Sequence, residues 1–212
     1  VPFAYFDHFL LRFTLNLLAH PMRKIRIIEH LSLDGVIQHD DEDGFAHGNW
    51  TTPYRTPAGL AALVEAYGSP FDLLLGRRTY DAWAGFWSQG VDSPMAKGLN
   101  AATKYVATHR PDSLAWGPVQ ALGVDILAGI RAVQATDGPD LIVCGSSTLT
   151  TRLLEQGLVD EVLLLVYPVL LGRGKRLFSD QAAPHALAFV STQVTATGVL
   201  LNTYRPVGAL RP

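Results

Sequence analysis

The chain has 212 residues, 48% of them hydrophobic and 17% charged, with a formal net charge of −2 at pH 7. This balance excludes a disordered chain and any broad electrostatic attraction to nucleic acid or an anionic membrane, and the length suits one domain with a sizeable core. The single cysteine, Cys144, excludes an intrachain disulfide and a multi-cysteine metal site, and it fits a reducing, cytoplasmic setting.

Residues 1–21 are apolar and aromatic, but Asp7, His8, Arg12 and Asn16 interrupt them too often for a membrane span. They lack the basic start and small-residue cleavage site of a signal peptide. They are expected to be an N-terminal extension, either a misplaced start or an amphipathic arm, ahead of one domain over 22–212.

Ile25 to Leu33 reads as a strand rich in β-branched residues, closed by Ser32-Leu33-Asp34-Gly35. A polar loop follows over 38–49. Its acidic run 40–43 lacks the spacing of a calcium loop and reads as solvated. Pro57 to Tyr67 has helical spacing, with Leu60, Leu63, Val64 and Tyr67 on one face and Gly68-Ser69-Pro70 as its stop. Phe71 to Leu75 is a strand that leads into a helix at Arg77 to Trp83. Strands are expected at Thr103 to Thr108, Val119 to Leu122, Leu141 to Cys144 and Glu161 to Pro168. Helices are expected at Gly123 to Gln134 and Thr148 to Gln156. Ala186 to Thr195 and Val199 to Tyr204 flank Thr197-Gly198 as a terminal hairpin. Alternating strands and helices predict an α/β fold with a mostly parallel central sheet, flanking helices and a C-terminal antiparallel hairpin.

Two buried strands end at a glycine and turn straight into a helix, at Gly76-Arg77-Arg78-Thr79 and at Cys144-Gly145-Ser146-Ser147-Thr148. A helix N-terminus presents unpaired N–H groups and the positive end of the dipole, so either junction can hold an anion or be a plainly capped helix start. Arginine forks suit a monophosphate. Thr108-His109-Arg110 follows a third strand on the same rim and can bracket a nucleotide or form a surface turn. Asp34 is either a turn aspartate or a hydrogen-bond partner for a ribose or a polar ring. Trp50 and Tyr54, near the Gly48-Asn49 turn, either stack on a flat heterocycle or plug the core. Cys144 reads as core filler. The seven histidines show no metal-ligand spacing; His39 and His47, the nearest to a pair, read as loop residues.

Taken in order, these pieces resemble the dihydrofolate-reductase-like superfamily. They are most similar to the C-terminal reductase domain of the bifunctional riboflavin-biosynthesis deaminase-reductase, in its small stand-alone bacterial form. The most specific match runs from Gly157-Leu158-Val159-Asp160-Glu161-Val162 to Tyr167-Pro168-Val169-Leu170-Leu171-Gly172-Arg173-Gly174-Lys175-Arg176-Leu177-Phe178. The resemblance implies an NADPH-dependent reductase, usually a homodimer, with its cofactor along the strand C-termini. It implies Arg77, Arg78 and Thr79 at the adenosine phosphates, with Gly76 at their turn. Thr108, His109 and Arg110 would lie near the adenine ribose, and Gly145, Ser146 and Ser147 at the pyrophosphate. Asp34 and Trp50 would face the nicotinamide and the substrate.

Two departures bear on the substrate. Trp50 is followed by no carboxylate, which argues against dihydrofolate. Val36 stands where the riboflavin-pathway enzymes have a basic residue, and no zinc-ligand set of a deaminase domain is present, which argues against a sugar phosphate. The expectation is hydride transfer from NADPH to a small heterocyclic (pyrimidine- or pterin-like) or carbonyl substrate. The alternative is a non-catalytic dimeric nucleotide-binding module of the same fold.

Overall fold

The structure is a computed structural model that describes residues 22–40, 42–178 and 182–210; the extension over 1–21 lies outside them. One eight-stranded sheet runs β4-β3-β2-β5-β1-β6-β8-β7. Its strands are β1 (Ile25–Ser32), β2 (Asp72–Gly76), β3 (Lys104–Ala107), β4 (Val119–Ala121), β5 (Leu141–Val143), β6 (Glu161–Tyr167), β7 (His185–Val194) and β8 (Leu200–Ala209). The first six pair in parallel, and β8 and β7 close one edge as an antiparallel hairpin.

Five helices flank it among the described residues: α1 (Pro57–Tyr67), α2 (Arg77–Trp87), α3 (Pro94–Ala101), α4 (Ile126–Gln134) and α5 (Ser147–Glu155). Strand parity divides the core in two. Ile28, Leu73, Leu75, Ile142, Leu163 and Leu165 face Tyr67, Tyr80 and Leu99, under α1 to α3. Ile25, Ile27, Leu74, Leu141, Val143 and Val162 face Ile130, Val133, Leu149 and Leu153, under α4 and α5. Connections that step toward β4 lie on the first face and those that step toward β7 on the second, as right-handed crossovers require.

The structure differs from the sequence reading in four elements. Helix α3 was not expected, although Ser93 caps it by accepting a bond from Ala96 N at 3.1 Å. Gly98 interrupts its pattern because the Phe71 ring leaves no room for a Cβ, the nearest atom standing at 3.1 Å. Helix α2 continues to Trp87, past Trp83. Helix α4 starts at Ile126, where Asp125 accepts from Ala128 N at 3.0 Å, rather than at Gly123. Strand β8 runs through Pro206, which needs no donor toward β6 because that pairing stops at Tyr204.

Gly129 lets α4 lie directly on the end of β4: a Cβ there would come 2.1 Å from the carbonyl oxygen of Leu122. Gly129→Ala is expected to lower stability by roughly 1–3 kcal/mol through forced displacement of α4, outweighing the about 1 kcal/mol of helix propensity that alanine adds. A urea midpoint equal to or above the parent's would contradict this.

Candidate active site

In a parallel sheet every strand C-terminus faces one rim, and ligands collect in the crevice where neighbouring strands part. Here that crevice lies between β1 and β5. They pair only through Ile25↔Leu141, Arg26↔Ile142 and Ile27↔Val143, whereas β1 stays with β6 to Ser32↔Tyr167. A cleft of about 1270 Å³ opens over this rim. Its walls are the loops after β1, β2, β3 and β5, together with Leu60, Leu63, Trp83, Phe86 and Trp87 from α1 and α2.

The two glycine junctions touch. Ser146 Oγ accepts from Gly76 N at 2.9 Å and shares a hydrogen bond with Thr79 Oγ1 at 2.9 Å. A Cβ on Gly76 would stand 2.5 Å from Ser146 Oγ, and one on Gly145 would stand 2.8 Å from Thr79 Oγ1. Gly145 and Ser146 both adopt left-handed backbone, at φ 59° and 52°. Ser146, which stands at the N-cap of α5, spends its hydroxyl on the other junction and caps nothing; Gly76 has no side chain to cap α2. Two helix N-termini with no side-chain cap therefore meet at one point of the cleft.

The arginines diverge rather than act as a pair. Arg77 Nε donates to both carboxylate oxygens of Asp81 at 2.8 Å, and its terminal nitrogen reaches Arg110 O at 2.9 Å and Ser113 Oγ at 2.7 Å. It ties α2 to the loop after β3. Arg78 reaches Asp43 at 3.2 Å and Asp40 at 3.9 Å in the loop over 38–49.

Gly76, Arg77, Arg78, Thr79, Thr108, His109, Gly145 and Ser146 line the cleft; Arg110, Ser147, Asp34 and Trp50 are outside its lining. Asp34 is engaged within the fold. Its carboxylate accepts from Ser32 Oγ at 2.6 Å, Leu171 N at 3.1 Å and Gly172 N at 2.8 Å, so it clamps the turn after β1 to the segment after β6. The Ser32 bond first, then those N–H groups, hold it down to about 2. Trp50 is buried behind the wall, where its indole N–H donates to Gln38 O at 2.7 Å and its ring stacks on His39 at 4.9 Å.

The crevice holds instead two groups that the sequence reading did not single out, Glu29 and His30. Glu29 is 5% exposed. Its carboxylate accepts from Gly145 N through one oxygen and from His30 N at 3.0 Å through the other. Burial raises it to about 7 despite those two bonds. His30 Nδ1 lies 2.7 Å from the Tyr167 hydroxyl. Burial, then the charges of His39 and Arg55, push His30 down to about 3, and burial first pushes His39 to about 4. Burial likewise pushes Tyr167 up to about 12. Near neutral pH the wall formed by His30, His39 and Tyr167 is uncharged.

Fold and rim together define a reductase-like α/β domain of the dihydrofolate-reductase type. The chain matches the RibD C-terminal domain family over residues 23–201 and belongs to it. It is 30% identical to the uncharacterized protein YyaP of Bacillus subtilis (strain 168) over 138 residues, which cover 62% of this chain and 72% of YyaP. It is similar in fold to two solved structures. One is the diaminohydroxyphosphoribosylaminopyrimidine deaminase/5-amino-6-(5-phosphoribosylamino)uracil reductase of Thermotoga maritima (TM-score 0.60, 16% identity, 94% of this chain and 60% of that one). The other is dihydrofolate reductase from Enterococcus faecalis, complexed with NADP(H) (TM-score 0.57, 18% identity, 87% of this chain and 96% of that one). No helix among the described residues is long and apolar enough to cross a membrane.

Proposed function

We propose that the protein is an NADPH-dependent reductase that acts on a small flat heterocycle or carbonyl compound. The observation that carries the reading is the meeting of two helix N-termini without side-chain caps, Gly76–Arg77 and Ser146–Ser147, in a cleft over the parted strands β1 and β5. Their N–H groups suit a diphosphate. Arg77 and Arg78, with Thr79 between the junctions, would hold the adenosine phosphates. Thr108, His109 and Arg110 would border the ribose, and Gly145, Ser146 and Ser147 the pyrophosphate. Bound there, the nicotinamide supplies a hydride, and the chain's own residues position the partners and exclude water. The neutral imidazoles of His30 and His39, beside the rings of Tyr54 and Tyr167, suit an uncharged planar ring. A homodimer belongs to the same proposal, supported by Phe189, Val194 and Val207, which stand 63%, 67% and 62% exposed on the terminal hairpin.

Calorimetric titration tests the reading: NADPH binds at micromolar concentration and NADH more weakly. Replacing both Arg77 and Arg78 by alanine removes charge-assisted contacts worth about 1.5–3 kcal/mol each, so the NADPH preference falls tenfold or more. Failure of both nucleotides to bind the parent sinks the reductase reading. Equal affinities in the parent would sink the role of the arginines at the 2′-phosphate.

A further inference from the structure

Glu29 sits where the cofactor reading puts the most negative charge. Its carboxylate fills the gap left where β1 and β5 part, and one of its oxygens already accepts the Gly145 N–H. Gly145 is the first residue of the α5 junction, held in left-handed backbone against Thr79. A diphosphate seated on this junction would meet an ionised Glu29 twice over. It would be repelled by the charge, and it would compete with the carboxylate for the same N–H.

We propose, resting on the cofactor reading above, that Glu29 takes up one proton when the dinucleotide binds, and that its carboxylic acid form is the state that accepts the diphosphate. The proton comes from solvent and stays on a Glu29 carboxyl oxygen; no other bond forms or breaks. Protonation removes the charge and weakens the hold of Glu29 on Gly145 N.

The free protein is poised for this, because burial already raises Glu29 to about 7. The titratable groups that face it are His30 beside it on β1, Tyr67 at the end of α1 and Cys144 after β5. His30 is held neutral, and burial pushes both Tyr67 and Cys144 upward, so all three are uncharged near pH 7. Helices α2 and α5 bring the hydroxyls of Thr79 and Ser146 to Gly145. An added anion seated on the Gly145 N–H that Glu29 also uses acts on the carboxylate at close range, and it raises the carboxyl further.

The sign follows. Below pH 7 Glu29 is protonated with or without ligand, and affinity does not depend on it. As pH rises through 7 the free protein loses the proton that the complex keeps. NADPH affinity then falls by up to about tenfold per pH unit, until the complex titrates in its turn.

The experiment is NADPH binding to the full chain at about pH 8. It is followed by calorimetry in two buffers of different ionisation enthalpy, for the parent and Glu29→Gln. The parent takes up close to one proton and the variant takes up none, and the pH dependence above 7 disappears in the variant. Subtracting the variant also removes the titration of the NADPH phosphate itself. Carboxyl-carbon NMR of the five glutamates reads the same event in the parent, whether or not the variant folds: the Glu29 signal moves to its protonated position on saturation. Binding with no proton uptake, or an unmoved Glu29 signal, overturns this inference and leaves the cofactor reading standing. Uptake in Glu29→Gln equal to the parent's overturns it and assigns the proton to another group. No binding at any pH overturns the cofactor reading, and this inference with it.

Discussion

Replacing Asp72 by alanine is expected to lower the stability of the protein by about 3–5 kcal/mol, read as a fall in the urea midpoint. Asp72 opens β2 at the end of the sheet opposite the cleft, and its partner is Arg23, which is 4% exposed just ahead of β1. The Arg23 guanidinium donates to Asp72, to Pro139 O at 2.6 Å and to the Tyr105 hydroxyl at 3.3 Å. The second Asp72 oxygen accepts from Thr103 N at 2.8 Å. One buried ion pair thus ties together the starts of β1, β2 and β3 and the turn before β5.

Removing the carboxylate leaves a guanidinium in the interior with no opposite charge, and that desolvation cost dominates the loss. Replacing both partners by apolar residues, as in Arg23→Met with Asp72→Leu, is therefore expected to restore much of the stability. A loss under about 1 kcal/mol for Asp72→Ala would place the pair in the weak class of surface ion pairs. Because the pair lies at the far end of the strands, the folded variant is expected to leave the proposed NADPH site as it is in the parent.

Local chemistry decided how far the fold could be read from residues. Helix α1 runs over the expected Pro57–Tyr67 because Thr56 caps it, Pro57 starts it and Gly68 stops it. Strands β2, β5 and β6 carry continuous apolar runs, as a parallel sheet covered on both faces requires, whereas β1 is broken by Arg26, Glu29 and His30. Helix α3 has a legible start at Ser93-Pro94 but spans only eight residues, too few for its apolar spacing to stand out. It is held by burial of Met95, Ala96 and Leu99, which is tertiary information. The rim glycines were legible as junctions; that they touch was not, since Gly76 and Ser146 are 70 residues apart. That Asp34 and Trp50 lie outside the cleft lining was not legible, because turn and wall residues share the chemistry of ligand-binding ones.

Glu29 and His30 were passed over because a charged residue in a strand usually marks a solvated face. The usable signal was their place in a strand of the sheet's centre, where neither face meets water. What turns that place into a crevice is the parting of β1 from β5, a matter of long-range register that no local pattern encodes.

Those two residues, with His39, also set an expected response to acid. Burial holds His30 near 3 and His39 near 4 against an ordinary value of 6.5, so between pH 6.5 and 4 the unfolded chain carries two protons that the folded chain refuses. Each such proton lowers stability by about 1.4 kcal/mol per pH unit as pH falls. Glu29 works the other way. Raised from 4.5 to about 7, it keeps in the folded state a proton that the unfolded chain has lost, so its contribution to stability grows as pH falls from 7 to 4.5. Over pH 6.5 to 4.5 one histidine is offset and one is not, giving a net loss of about 3 kcal/mol across the two units. In Glu29→Gln the offset is gone, and the slope over this window should double. Urea unfolding at a series of pH values measures both curves. A parent curve that is flat from 6.5 to 4.5, or a variant curve parallel to the parent's, would show that these groups are not buried as described. The carboxyl that we propose to greet the cofactor with a proton is, on this account, also what offsets one of the two neutral histidines in mild acid.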